Sequence, residues 1–331
     1  MSPYTKNIEK AYYAFCEKIN NLSPPKHSGI FDNILTLEMH NRIPMLDVIY
    51  MRKISSSRLN SLDCAKKGNH FAAELYLSEA DAYIDKLSNE DAILISKSFT
   101  QSAKAFLYYK QKKEVEAQYF LDNSLEYDTK LINEFKYFII DIHRVQTIHN
   151  IIRMNLYGNS PNIKDSLLLA EKLVKYLLRK GKFPYLKHDV VYDSTLLPDE
   201  LLESMLCQIV TEIAINTFDE RFNIEFRQSE LLNPFFLKNN LQFSERITKW
   251  LNIKSLYYDE SKTNEYLLLS QNYLENYSDK FPILWYTLSY DLANLAKTVQ
   301  KNEIYINIIT HLNSVEYLPI LFKTNLKKIT E

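Results

Sequence analysis

Glycine is scarce in this sequence: only four occur among 331 residues, against an average usage of about 7%. Hairpin turns of β-sheets and phosphate-binding loops rely on glycine, because they need backbone conformations with positive φ. A helix needs glycine only near its end. The shortage therefore argues against a β-rich or nucleotide-binding α/β fold, and it predicts an all-α protein.

Cysteine and long apolar runs are also lacking. Cys16, Cys64 and Cys207 are widely spaced and form no C-x-x-C pair, so the sequence indicates neither a disulfide framework nor a cysteine zinc site. No window approaches 18 uncharged apolar residues, so we predict no transmembrane helix and no membrane partner. Lys6 and Glu9 interrupt the apolar residues near the N-terminus, unlike a signal peptide. The expected location is therefore the reducing cytoplasm.

Signatures of catalysis and of metal binding are missing as well. The sequence contains no Gly-x-Ser-x-Gly, no Walker loop, no His-Glu-x-x-His and no Glu-x-x-His. His143 and His149 are six residues apart, so they do not share a helix face. We therefore expect no catalytic residue, no cofactor and no metal ligand. The net charge of −1 gives no general attraction to nucleic acid.

Helical periodicity is what the sequence does have. Apolar residues recur at steps of three and four over residues 59–87, with a break at 67–69 that predicts a turn between two antiparallel helices. The same layout follows with helices at 91–109 and 114–127. A third pair is predicted at 131–156 and 162–180, closed by Gly181 as a helix cap. These hairpins define a predicted N-terminal array over residues 1–181.

The rest of the chain is predicted as a C-terminal helical region, residues 182–331, that continues or caps the array. A loop or insertion is expected at 182–200, because this stretch contains prolines and β-branched residues. Pro198 suits the first position of a helix that runs to about residue 218. Further helices are predicted at 244–258, 261–277, 282–299, 302–313 and 315–328, whereas the role of residues 182–241 stays open.

A repeated spacing of small residues links the three hairpins. Aligning the turns superimposes three sets on the second helices: Ala73, Leu77 and Ala80; Ala117, Leu121 and Ser124; Ser166, Ala170 and Leu173. On the first helix of the middle hairpin, Ala105 precedes Tyr108 by three residues. Small residues at these steps allow two helices to approach closely. Over residues 57–180 this pattern resembles the tetratricopeptide repeat (TPR) family.

The resemblance is degenerate. The family's tryptophan is replaced by Ser57, Gln101 and Asn150, and its repeat-ending proline by Asp85 and Thr129. The steps between repeats, 44 and 49 residues, exceed the family's usual unit. A generic stack of helical hairpins is therefore the alternative interpretation.

The resemblance implies a right-handed superhelix whose concave groove holds a peptide or a partner protein. In the family, polar residues of the first helices line that groove. The corresponding residues here are Lys97, Gln101, Lys104, Arg144, Asn150 and Arg153. They would suit an acidic or carboxylate-terminated ligand. The alternative is that they form an ordinary solvated helix face.

The functional prediction is a helical-repeat interaction protein, or scaffold, that binds a peptide or partner protein without chemistry of its own. One alternative is a regulatory protein that contacts RNA or DNA through basic and aromatic residues at 172–188. Those residues are Lys172, Lys175, Arg179, Lys180, Lys182, Phe183, Tyr185, Lys187 and His188. The other alternative is an all-α metal-dependent enzyme with ligands from distant helices. Oligomeric state and partner identity are not encoded in any recognisable pattern.

Overall fold

The computed structural model describes residues 4–24, 29–184, 197–233, 242–278 and 281–330. These residues are almost all helical and include no β-strand, which confirms the predicted all-α class. The α-helices are α1 (Thr5–Lys18), α2 (Ile30–Arg42), α3 (Met45–Lys66), α4 (His70–Ile84), α5 (Glu90–Lys110), α6 (Glu114–Asn133), α7 (Asp141–Tyr157), α8 (Ile163–Leu177), α9 (Asp199–Asn216), α10 (Glu220–Arg227), α11 (Glu245–Tyr257), α12 (Thr263–Asn276), α13 (Pro282–Thr298), α14 (Asn302–Ser314) and α15 (Ile320–Thr330). Short 3₁₀ turns lie at Ile19–Asn21, Phe138–Ile140, Glu230–Leu232, Gln242–Ser244 and Glu260–Lys262.

The chain forms two units. One is the continuous segment 28–205, and the other combines residues 1–27 with 206–331. The boundary between 205 and 206 falls inside α9. The division predicted after residue 181 stays a prediction.

In the unit 28–205, α3 pairs with α4, α5 with α6, and α7 with α8. The order is antiparallel: Ser98 on α5 bonds to Asp128 on α6, whereas Ser102, one turn further along α5, bonds to Ser124, one turn back on α6. The small residues of the predicted repeat lie where the helices cross, because Ala73, Ala117 and Ser166 are at most 1% exposed. The predicted turns between these helices are present.

The ends of the helices explain how the chain manages with four glycines. Gly68 after α3 has φ +77°, and Lys112, in the equivalent place after α5, has φ +62°. Lys136, Arg179 and Gln300 adopt the same left-handed conformation after α6, α8 and α13. Each such end returns a backbone N–H to a carbonyl five or six residues earlier, as in a Schellman motif. Long polar residues therefore occupy positions that glycine usually takes.

Two predicted helix boundaries were wrong, because Lys136 and Arg179 end helices in the left-handed conformation without glycine. The helix predicted over 131–156 is interrupted: α6 continues to Asn133, Lys136 turns the chain, and α7 begins at Asp141. Apolar residues fill both sides of the turn, so the periodicity hides it. Similarly, α8 ends at Leu177 and Arg179 takes the left-handed conformation, not Gly181.

In the unit of residues 1–27 and 206–331, α1 packs against α12 and α13. The Phe15 ring stacks on Trp285 with centroids 5.3 Å apart, and the Lys301 ammonium lies 2.6 Å from a Glu9 carboxylate oxygen. Trp250 is fully buried and donates its indole N–H to the Leu284 carbonyl at 3.1 Å. The N-terminal helix is thus part of a core whose other residues all follow the three hairpins in the sequence.

Candidate functional site

Helix α2 lies along α3 and α5 in the unit 28–205. Near its start, the Phe31 ring is 6.3 Å from the Phe99 ring of α5. Near its end, His40 Nε2 is 3.3 Å from an Arg52 guanidinium nitrogen of α3, and Arg42 forms a 3.5 Å ion pair with Asp91 at the start of α5. Since Phe31 meets Phe99 and Arg42 meets Asp91, α2 runs antiparallel to α5. We call the surface that α2 contacts, on α3, on α5 and at the 3₁₀ turn before α7, the α2 face.

One end of the α2 face is a row of three side chains, one from the first helix of each hairpin. The Arg58 guanidinium of α3 lies 4.8 Å from the centroid of Phe99 on α5. The Phe99 ring is in turn 4.0 Å from the imidazole of His143 on α7. Stacking of a guanidinium on an aromatic ring is favourable and keeps the nitrogens free to donate. We call these residues the Arg58–Phe99–His143 row.

Arg58 is a largely enclosed cation. Burial lowers the pKa of its guanidinium to about 10, and the negative charge of Asp32 on α2 partly offsets this. The side chain donates to Ser55 Oγ at 3.4 Å. Among the described residues, no carboxylate lies at ion-pair distance from it. Arg58 is therefore charged at neutral pH and able to accept a carboxylate partner.

The other end of the α2 face is formed around Arg42, the last residue of α2. Its guanidinium lies 3.9 Å from the centroid of the Tyr137 ring and donates to the Phe135 carbonyl at 2.6 Å. Together with the ion pair to Asp91, these contacts hold the end of α2 at the 3₁₀ turn before α7. Burial raises the pKa of the Tyr137 hydroxyl, so the phenol stays neutral.

Glu38 is less well accommodated at this end. Burial raises the pKa of its carboxyl, and the nearby Arg42 charge lowers it only in part. One carboxylate oxygen, Oε2, is buried without a hydrogen-bond partner. An unsatisfied buried oxygen costs about 1–3 kcal/mol, more when charged. This residue therefore weakens the docking of α2.

Beneath the row lies a buried polar network that sequence reasoning did not identify. His143 Nδ1 is 2.9 Å from Asp128 Oδ2, and His143 Nε2 is 3.3 Å from Ser102 Oγ. Ser98 donates to the same carboxylate, and Ser124 joins Ser102 at 3.0 Å. In the sequence, this network is indicated only by two pairs of polar residues on otherwise apolar helix faces. Within each pair the residues are four apart: Ser98 and Ser102, and Ser124 and Asp128.

The order Ser102, His143, Asp128 is that of a hydroxyl nucleophile, a base and an orienting carboxylate. Acyl transfer also needs hydrogen-bond donors for an oxyanion. Ser102 lies within α5, where the neighbouring backbone N–H groups are engaged in the helix. The network therefore lacks that part of a reaction centre. The hydrogen bonds of this network hold the His143 ring in place, and the ring in turn contacts Phe99 in the Arg58–Phe99–His143 row.

The predicted groove residues of α5 are directed towards the second helices. Lys104 forms a 2.8 Å ion pair with Asp81 on α4. The Lys97 ammonium is 6.0 Å from the centroid of Tyr127 on α6. Gln101 is half-buried, and its Oε1 is buried without a hydrogen-bond partner.

The predicted groove residues of α7 do not form one surface. Arg144 is fully buried, with its guanidinium 2.8 Å from Asp141 and 3.9 Å from the Phe183 ring centroid. Asn150 accepts a hydrogen bond from Gln146, and Arg153 is exposed. The structure thus encloses Arg144 instead of presenting it. A partner contact by any of the six residues stays a prediction.

The basic stretch proposed for nucleic acid is partly neutralised. Lys175 pairs with Glu171 at 2.7 Å, Arg179 pairs with Asp199 at 3.3 Å, and Phe183 is buried. Lys172 is exposed and borders a cavity of about 260 Å³ between α6, α7 and α8. Tyr185, Lys187 and His188 lie outside the described residues.

Within the described ranges, no three histidine, cysteine, aspartate or glutamate side chains are grouped as a metal ion would require. No helix in those ranges has both the length and the apolarity to cross a membrane.

Comparison with known proteins gives no relative. No protein-family model, no curated protein and no solved structure matches this chain. The site must therefore be interpreted from its own geometry.

Proposed function

We propose that α3 to α8 form a TPR-like array of three hairpins, and that the α2 face binds a helical segment of a partner protein. In this proposal the protein has no chemistry of its own. One observation carries it: a 13-residue helix, α2, already lies along α3 and α5 and reaches the 3₁₀ turn before α7. A surface that accepts this helix has the length and shape to accept another.

The way α2 is held supports a ligand-like role. Of its 13 residues only Leu35 is buried. A helix that belongs to a core normally buries an apolar stripe of three or four residues for every two turns. Removing α2 would therefore uncover little apolar surface, and the three hairpins would keep the core that they share.

The composition of the face also supports recognition of a peptide. It combines an enclosed cation, Arg58, with two aromatic rings, Phe99 and Tyr137. Arginine and aromatic residues are the types that contribute most at protein interfaces. The surface is formed by α3, α5 and the turn before α7, so a ligand would span the first two hairpins and the connection to the third.

The test uses the full chain carrying Leu35→Asp, which removes the single buried side chain of α2, and a fluorescein-labelled peptide of residues 29–43. We expect a saturable rise in anisotropy. Phe99→Ala in the same chain should weaken binding by roughly 10-fold or more, the effect of losing an interface aromatic. Tyr119→Ala is the matched control, because this ring is 60% exposed on α6.

A second arm compares the α2 face with the face predicted from the sequence. Replacing Lys97, Gln101 and Lys104 together by alanine should leave peptide affinity unchanged. If this triple variant loses binding while Phe99→Ala keeps it, the ligand uses the other side of α5 and the proposal is wrong in its location.

A further inference from the structure

We infer that α2 is a built-in competitor for the α2 face, and that the partner segment it excludes is an amphipathic helix with a carboxylate that pairs with Arg58. That segment would carry an aromatic residue next to a carboxylate at the Arg58 end, an apolar residue one turn later, and an uncharged residue at the Tyr137 end. The inference rests on the proposed function and specifies its ligand and its regulation.

The spacing along α2 defines the pattern. Phe31, Leu35, Glu38 and Arg42 follow one another at steps of four, three and four, so they share one helix face. Phe31 meets Phe99, Leu35 is buried, and Arg42 lies on Tyr137. A competing helix must present side chains at the same steps.

At the Arg58 end α2 leaves an interaction incomplete. Asp32 acts on the charge of Arg58, but its carboxylate is exposed and makes no ion pair with the guanidinium. An arginine and a carboxylate at bidentate distance form one of the stronger polar contacts in proteins. A partner whose carboxylate reaches Arg58 therefore gains a contact that α2 lacks.

At the Tyr137 end α2 carries an unfavourable group. Glu38 Oε2 is buried without a partner, and the carboxylate also faces the neutral phenol of Tyr137 and the guanidinium of Arg42. A neutral amide or apolar side chain at this position would avoid burying a charge. The α2 sequence is thus a poorer match to the face than a helix whose carboxylate reaches Arg58 and whose residue at the Glu38 position is uncharged.

Covalent attachment compensates for the poor match. Only Ile43 and Pro44 separate α2 from α3, so an undocked α2 stays close to its site. Such tethering corresponds to a local concentration in the millimolar range for a short linker. A weak intramolecular ligand of this kind excludes weak competitors and yields to a better-matched one.

The experiment measures binding of three labelled peptides of residues 29–43 to full-length chains. The peptides are the natural sequence, Glu38→Gln and Asp32→Asn. The chains are the wild type, Leu35→Asp and Leu37→Asp, the last a control because Leu37 is 64% exposed on the same helix. Phe31→Ala serves as a second means of releasing α2 if Leu35→Asp alters the helical content measured by circular dichroism.

We expect Leu35→Asp to bind each peptide at least about 10-fold more tightly than the wild type or Leu37→Asp, because the tethered competitor is removed. The Glu38→Gln peptide should bind more tightly than the natural one, and Asp32→Asn more weakly. In the wild type, adding the Glu38→Gln peptide should speed amide hydrogen exchange at residues 30–42 and slow it in α5.

Different failures have different meanings. Equal affinity of the wild type and Leu35→Asp, with binding still lost in Phe99→Ala, would overturn the competitor role and leave the proposed function standing. An unchanged affinity of the Asp32→Asn and Glu38→Gln peptides would overturn the inferred ligand chemistry. No binding to any chain would overturn both the inference and the proposed function.

Discussion

At the scale of single residues, helix ends offer a matched test of backbone strain. Gly68 and Lys112 occupy equivalent left-handed positions after α3 and α5. A side chain in this conformation costs roughly 1–2 kcal/mol, and glycine avoids the cost. We expect Lys112→Gly to raise the free energy of unfolding by up to about 1 kcal/mol and Gly68→Ala to lower it by a similar amount, measured by urea denaturation.

A Cβ at Gly68 would meet no atom within 4 Å, so the loss in Gly68→Ala would report conformation alone. Lys110→Gly is the control, because Lys110 lies within the last turn of α5, where glycine relieves no left-handed strain. A stabilising effect of Lys110→Gly equal to that of Lys112→Gly would show that helix-end strain is not the cause.

A second residue-scale prediction concerns Lys254 and Asp291. Their side chains are only 2% and 7% exposed and form a 2.6 Å ion pair. Burial raises the pKa of the Asp291 carboxyl, and Lys254 counteracts the shift. Asp291→Ala leaves the ammonium buried without its partner, at a cost of about 3–5 kcal/mol. The double variant Lys254→Met with Asp291→Leu should recover most of the lost stability, measured by thermal denaturation. A double variant as unstable as Asp291→Ala would show that the unpaired buried charge is not the cause of the loss.

At the scale of elements, the docking of α2 should depend on pH through Glu38. The carboxyl has a raised pKa when α2 is docked, whereas free α2 would ionise near the ordinary glutamate value of about 4.3. Docking of α2 is therefore strongest at a pH below the pKa of free Glu38. It weakens as the pH rises from there to the raised pKa of docked Glu38, and at higher pH it no longer changes. Hydrogen-exchange protection of α2, corrected for intrinsic rates, should follow this course.

Glu38→Gln should remove that pH dependence and increase protection of α2 at pH 7. The neighbouring Tyr137 stays neutral across this range, because burial raises the pKa of its hydroxyl. If the same pH dependence is seen in Glu38→Gln, a group other than Glu38 is responsible and this explanation is wrong.

At the scale of the whole molecule, the N-terminal helix should stabilise one unit only. Phe15 is 2% exposed and stacks on Trp285, so Phe15→Ala should destabilise the unit of residues 1–27 and 206–331 by about 3–5 kcal/mol. Trp250 and Trp285, the two tryptophans of the sequence, both lie in this unit. Tryptophan fluorescence should therefore report a lower melting temperature, while a separate circular dichroism transition of residues 28–205 stays in place.

Tyr13→Ala on the same helix is the matched control, since Tyr13 is 67% exposed. It should shift neither transition by more than about 0.5 kcal/mol. Equal shifts of both transitions in Phe15→Ala would show that the two units unfold together.

The sequence by itself determined the all-α class, the three hairpins over residues 57–180 and the small residues at their crossings. These features arise from local periodicity, which any helix with one buried face must show. The scarcity of glycine pointed to helices, but it could not reveal that Lys112, Lys136 and Arg179 act as left-handed caps. That role depends on the whole helix end and not on the residue type.

Only the tertiary structure decided which side chains meet. Arg58, Phe99 and His143 come from three helices and from non-equivalent positions of the hairpins, so no repeat pattern brings them together. Lys97 and Lys104 share α5 with Phe99 but lie on another side of it, and Arg144 is enclosed by its own neighbours. Helical periodicity fixes which residues share a face, whereas the packing of separate helices fixes what that face contacts.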